Sequence, residues 1–179
     1  MSSETSVSRR LLQHFLAAIA YRTQKALRDA PEHFSSFRAG TNVRTPHELL
    51  WHMTSVIGYA RTMLHGGEFQ PRFLPSFAAE VSRFHETLAA LRDDLANPAL
   101  TARISDEQFL QGPLADAMTH AGQLAMLRRM EGSPVPSENF IFAHVDASNV
   151  GPLQPLPEAP DLWWRPDLPP DAPRPGRAS

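Results

Sequence analysis

The chain has 179 residues with 42% hydrophobic and 20% charged residues, enough for one domain with a sizeable core and some additional chain. Its 17 Lys and Arg against 19 Asp and Glu give a net charge of −2, which supplies no basic patch and no electrostatic reason to expect nucleic acid as a partner. Cysteine is absent, so disulfides, a thiolate metal site and a cysteine nucleophile are all excluded. The opening MSSETSVSRRLLQHF has no uninterrupted apolar stretch of the kind a secretion signal needs. No apolar run approaches the roughly 20 residues of a membrane span, so the expectation is a cytoplasmic protein with no membrane partner.

From about Val7 to Ala30, Leu12, Phe15, Leu16, Ile19, Ala26 and Leu27 recur at helical spacing, and Pro31 marks the stop. SSFRAGTN then reads as a loop. Thr45-Pro46-His47-Glu48 is a specific helix start, with Thr45 as N-cap, Pro46 at the first helical position and Glu48 closing a capping box. This second helix is expected to run to about Leu64 and end at Gly66-Gly67. Leu49, His52, Val56, Tyr59 and Met63 share one face of it, which puts His52 in the middle of an apolar stripe. A third helix begins near Pro75-Ser76 and ends at Asn97-Pro98, with Phe77, Val81, Phe84, Leu88, Leu91 and Leu95 as a bundle seam.

Leu100 to Gln111 is ambiguous, with at most a short helical turn near Asp106 to Leu110. Gly112 as cap and Pro113 at the first position open a fourth long helix, closed by Gly132 and Pro134. Asp116, His120, Gln123 and Leu127 form one stripe of it. Leu114, Met118, Ala121 and Ala125 form the opposite one. A helix apolar on nearly all sides is expected to be buried.

Eleven of the 17 prolines fall at Pro134 or later, so the rest of the chain is read as extended rather than regular. Its last dozen residues are expected to be mobile, and Trp163 and Trp164 to pack on something. The sequence therefore predicts an all-α four-helix bundle over residues 1–132 and an extended Pro-rich tail over 133–179 that packs on the bundle.

Three polar side chains project from the expected inner faces: His52, Asp116 and His120. Two histidines and a carboxylate, with one pair at i and i+4, form a facial set able to hold a divalent ion while leaving coordination positions open. The i,i+4 spacing matters because one helix can offer two ligands to one ion only from adjacent turns. Each residue also has a simpler explanation. His52 can be a hydrogen-bonded core histidine. Asp116 can be favoured by the helix N-terminus. His120 can bond Asp116 or a carbonyl. His47 and His52 are five apart, about 140° round a helix, and cannot share an ion. Glu48, at i−4 from His52, is either an orienting partner of its imidazole or only the capping-box residue. His14, His33, His65 and His85 have no convergent partners in the sequence and read as solvated or helix-end histidines. Arg128-Arg129 reads as the cationic last turn of its helix. No GxSxG elbow supports serine-nucleophile catalysis.

TPHELLWHM, DAMTHAGQLAMLRRM and NFIFAHVDASNVGPLQP together resemble the DinB/YfiT-like superfamily of metalloenzymes, over roughly residues 7–158. The resemblance implies a four-helix bundle, commonly a homodimer. It also implies a divalent metal held by one histidine of the second helix and two residues of the last long helix. His52 matches the first and His120 the last of these. Asp116 stands where the family usually has another histidine. An aspartate there is a harder, anionic ligand, suited to Zn, Ni, Fe or Mn. Relatives include transferases that use a low-molecular-weight thiol, and the resemblance implies such a thiol cosubstrate and a small-molecule substrate. The expected function is a metal-dependent S-transferase or hydrolase, with Glu48 or Gln123 supporting the ligands and Tyr59 lining the pocket. The competing class is a non-catalytic bundle, a binding or stress-associated protein whose polar trio is structural.

Overall fold

The computed structural model describes residues 2–158, and side chains from Val7 onward. The expectations for Trp163, Trp164 and the final dozen residues lie outside the described residues. Four long helical stretches account for most of the chain: α1 (Ser2–Leu27), α2 (Pro46–His65), α3 (Phe77–Ala96) and a last stretch made of α4 (Asp106–Phe109), a π turn (Leu110–Leu114) and α5 (Ala115–Glu131). No strand occurs among the described residues, and no helix there is long and apolar enough to cross a membrane.

The helix boundaries follow local chemistry. Thr45 accepts from the Glu48 amide while the Glu48 carboxylate accepts from the Thr45 amide, the capping box read from the sequence. Ser105 and Gln108 form a second such box at α4, and Ser76 caps α3 by accepting from the Ala79 amide. Gly66, at φ 78°, stops α2 in a region open to glycine. Helix α1 ends at Leu27, three residues before the expected stop, because Asp29 turns left-handed at φ 52° ahead of Pro31.

Two expectations about faces are overturned. On α2 the buried face is centred on Leu50, Met53, Ile57, Ala60 and Leu64, one position round from the predicted stripe, of which only Leu49 is also buried. His52 is half-buried at the flank of that face and Tyr59 is exposed, so His52 does not sit in the middle of the apolar stripe. On α5 the core face runs through Ala117, Ala121, Leu124 and Arg128. Asp116, Gln123, Met126 and Met130 are exposed, so the helix is not buried all round.

A third expectation fails at Gly112 and Pro113. They do not open the last helix. Pro113 lies inside the π turn of a helical stretch that is unbroken from Asp106 to Glu131, and Gly112 caps nothing. Proline lacks an N–H and its ring crowds the carbonyl one turn back. A π turn takes in one extra residue and relieves that crowding.

Round the bundle, α1 and α2 lie on one diagonal and α3 and α5 on the other, so α2 packs against both α3 and α5. The core between them holds Leu16, Ile19, Leu50, Met53, Phe84, Leu88, Leu91 and Leu124. The α3 seam is as read: Phe84, Leu88, Leu91 and Leu95 are buried, and Phe77 and Val81 pack against them.

After α5 the chain returns across the bundle. Glu138 accepts from the Tyr21 hydroxyl at 2.7 Å and from Lys25 Nζ at 2.7 Å. Its own side chain is fully buried and that of Lys25 is 9% exposed. His85 is a correction to the sequence reading. It is buried and its Nδ1–H donates to the Val150 carbonyl at 2.7 Å, holding the returning chain against α3. His33 and His65 are partnered too, with Glu131 and Asp94.

Removing one partner of a buried ion pair strands the other charge. Glu138→Ala is therefore expected to lower unfolding stability by about 3–5 kcal/mol in urea titration. Glu32→Ala, at an exposed carboxylate, serves as the control and is expected to change stability by less than about 0.5 kcal/mol. Equal effects for the two would contradict the role given to Glu138.

Candidate metal centre

The groove between α2 and α5 brings together the three residues singled out from the sequence. His52 Nε2 lies 3.8 Å from one Asp116 carboxylate oxygen, and His120 Nε2 lies 3.3 Å from the other. The two imidazole rings meet edge to face with centroids 4.8 Å apart. One ligand atom from each residue lies within 4.8 Å of the other two.

Each side chain is placed by its helix. Asp116 and His120 are one turn apart on α5 and project into the same groove. His52 reaches it from the flank of α2, which is why it is half-buried rather than in the core. The helix-dipole explanation for Asp116 falls away: helix precedes it back to Asp106, and the Ala115 amide already bonds back to Gly112 and Leu110. No free N-terminal turn remains to stabilise the carboxylate.

His120 is buried, and its Nδ1–H donates to Gln123 Oε1 at 2.8 Å. In the neutral ring that bond places the proton on Nδ1 and turns Nε2 toward Asp116 and His52, the orientation that such outer hydrogen bonds give metal-binding histidines. Glu48 does not do the same for His52. It is spent on the Thr45 cap and on Arg38 Nη2 at 3.1 Å. Burial lowers the pKa of His52, as do Arg44 and His120 in that order, while Asp116 opposes them. His52 is therefore neutral near pH 7, with a lone pair free to ligate. His47 takes no part. It stacks on Phe73 with centroids 4.2 Å apart, facing the α3 side, and its buried Nε2 has no hydrogen-bond partner among the described residues.

Two nitrogen or oxygen ligands bound at about 2.1 Å in tetrahedral geometry lie about 3.4 Å apart. The 3.3 Å separation matches that value and the 3.8 Å one is slightly wide. The 4.8 Å limit of the set means that the widest pair closes by about an ångström or more through side-chain rotation when an ion is held. The carboxylate faces an open hollow of 580 Å³ whose wall includes Val56, Tyr59, Pro113, Asp116 and Thr119. The hollow reaches the cluster at Asp116.

Sequence reasoning missed Arg128. It is buried and donates to the carbonyls of Ala26 and Arg28, each at 2.9 Å, and to Ser133. It satisfies the end of α1 rather than serving as a solvated last-turn cation. No local signal separates it from Arg129.

No family model matches the chain, and neither curated proteins nor solved structures provide a match.

In metal-free protein, His52 is expected to titrate below 6.5, the ordinary histidine value. Asp116→Asn removes the charge that supports the imidazolium and is expected to lower the midpoint further. Ring-carbon NMR titration checks this, and an upward move would contradict the geometry. Because the folded pKa lies below the unfolded one, His52 contributes stability that is present above pH 6.5 and lost as pH falls through its folded value.

Proposed function

We propose that the protein is a divalent-metal-dependent enzyme of the DinB-like type, a small-thiol-dependent S-transferase or a hydrolase acting on a small molecule. The observation that carries this reading is the convergence of His52, Asp116 and His120 within 4.8 Å, with Asp116 on the wall of an open hollow. Two imidazoles and one carboxylate suit Zn, Ni, Fe or Mn, and an ion of this kind lowers the pKa of a thiol or water beside it.

The chain's own residues supply the rest. His120 is held in its ligating tautomer by Gln123, and His52 keeps its lone pair because burial disfavours its protonation. Tyr59 and Val56 form the α2 side of the hollow and Pro113 and Thr119 the opposite side, giving a partly apolar bay for the substrate body. In S-transfer, the thiolate sulfur forms a bond to an electrophilic carbon and the leaving group departs with the electron pair. The absence of cysteine means that the sulfur arrives as a cosubstrate.

Untagged protein equilibrated with each of the four metals is expected to carry one ion per chain by elemental analysis. His120→Ala and Asp116→Ala are expected to lose it. Gln123→Ala is expected to weaken affinity by about 10–100-fold. Consumption of a small thiol with a chromogenic electrophile is expected with the metal and absent after chelation. Failure of the wild-type protein to retain any of the metals would sink the enzyme reading and leave a non-catalytic bundle with a hydrogen-bonded His/Asp cluster.

A further inference from the structure

A second cavity lies on the far side of α5 from the metal centre, between α1, α5 and the returning chain. Its volume is 250 Å³, the space of roughly eight water molecules at about 30 Å³ each. Arg22 and Lys25 come from α1, Gly122 and Ala125 from α5, and Glu138 and Phe140 from the returning segment.

The charges in this cavity are unequal in their commitments. Lys25 is satisfied by Glu138, which also takes the Tyr21 hydroxyl. Arg22 is not satisfied in this way. Its guanidinium sits over the Phe140 ring, with Cζ 3.7 Å from the centroid, and among the described residues no acceptor takes its N–H groups. Stacking uses the face of a guanidinium and leaves the in-plane N–H fork open, the edge that matches a carboxylate in bidentate fashion. Burial disfavours the charge on Arg22 and only the more distant Glu138 supports it.

The opposite wall is small and apolar, with Ala121, Ala125 and Val135. Gly122 marks the opening in it. A Cβ built there meets no atom within 4 Å, so no close packing accounts for glycine at a helix interior position, where it costs about 1 kcal/mol relative to alanine.

We propose that this cavity binds a small organic carboxylate, its head on the Arg22 fork and its apolar body along Ala121, Ala125 and Val135. The site is independent of the metal centre: its residues lie on the α1 flank of α5, and His120 and Asp116 lie on the α2 flank.

The test is a 1H–15N NMR titration of the full chain with sodium butyrate at constant ionic strength, using neutral butyramide as the matched control. Saturable shifts are expected at the amides of Gly122, Ala125 and Glu138 with butyrate and not with butyramide. Arg22→Gln is expected to weaken butyrate binding at least about tenfold, the loss of one charge-assisted pair. Gly122→Leu sits on an exposed helical position and is expected to fold normally and to abolish binding by filling the cavity. It decides the matter if Arg22→Gln loses its fold. Non-saturating shifts, equal responses to butyramide, or unchanged binding in Gly122→Leu would each overturn the proposal. Because no metal is added, the outcome is separable from that of the metal assay.

Discussion

The candidate metal centre depends on how the chain accommodates one proline inside a helix. Pro113 offers no N–H to the helical ladder and its ring would press on the carbonyl of Phe109 in a regular α-helix. The π turn over Leu110–Leu114 takes in one extra residue and so removes both conflicts. It also rotates everything after it by about 100° relative to an uninterrupted helix. Phe109 and Leu114 stay in the core on either side of the turn, while Asp116 and His120 come round to the groove beside α2. In a regular helix the same pair would sit about 100° away, out of reach of His52.

From that register the electrostatics of the groove follow. A carboxylate with no free helix N-terminus to stabilise it stands between two imidazoles. Gln123 takes the proton-bearing nitrogen of one of them, and burial disfavours the charge on the other. A neutral, hydrogen-bonded cluster would be content with one imidazole N–H pointing at the carboxylate. In the neutral His120 ring Gln123 holds the proton on Nδ1 and turns Nε2 toward Asp116 and His52, a donor set that could hold a cation.

Local signals in the sequence carried the fold a long way. The Thr45–Glu48 box, the α3 seam and the i,i+4 pair on α5 are short-range patterns, and each reappears in the structure. The α2 face was misjudged because two adjacent stripes are both apolar: Leu49, Val56 and Met63 on one, Leu50, Ile57 and Leu64 on the other. Hydrophobic periodicity cannot choose between them. Phe69 helps to choose, since its ring lies where a Cβ on Gly58 would be, within 2.1 Å, and so sets what covers that side of α2. Gly112-Pro113 was misread for a related reason. The same dipeptide that opens a helix elsewhere is here carried inside one by the π turn.

The residues that escaped the sequence reading share one property: their partners lie far along the chain. Arg128 reaches Ala26 about a hundred residues back, Glu138 reaches Tyr21 and Lys25, and His85 reaches Val150. None has a spacing to detect. Together they close one flank of the bundle, fixing α1 against α5 and laying the returning chain over both. That closure has a consequence for the second cavity. Glu138 neutralises Lys25 and orders the segment that carries Phe140, and Phe140 in turn holds the Arg22 guanidinium by its face. The open fork of Arg22 is thus a product of the tail's anchoring rather than of α1 alone, and α5 separates the His52, Asp116 and His120 cluster on its α2 flank from the Arg22 cavity on its α1 flank.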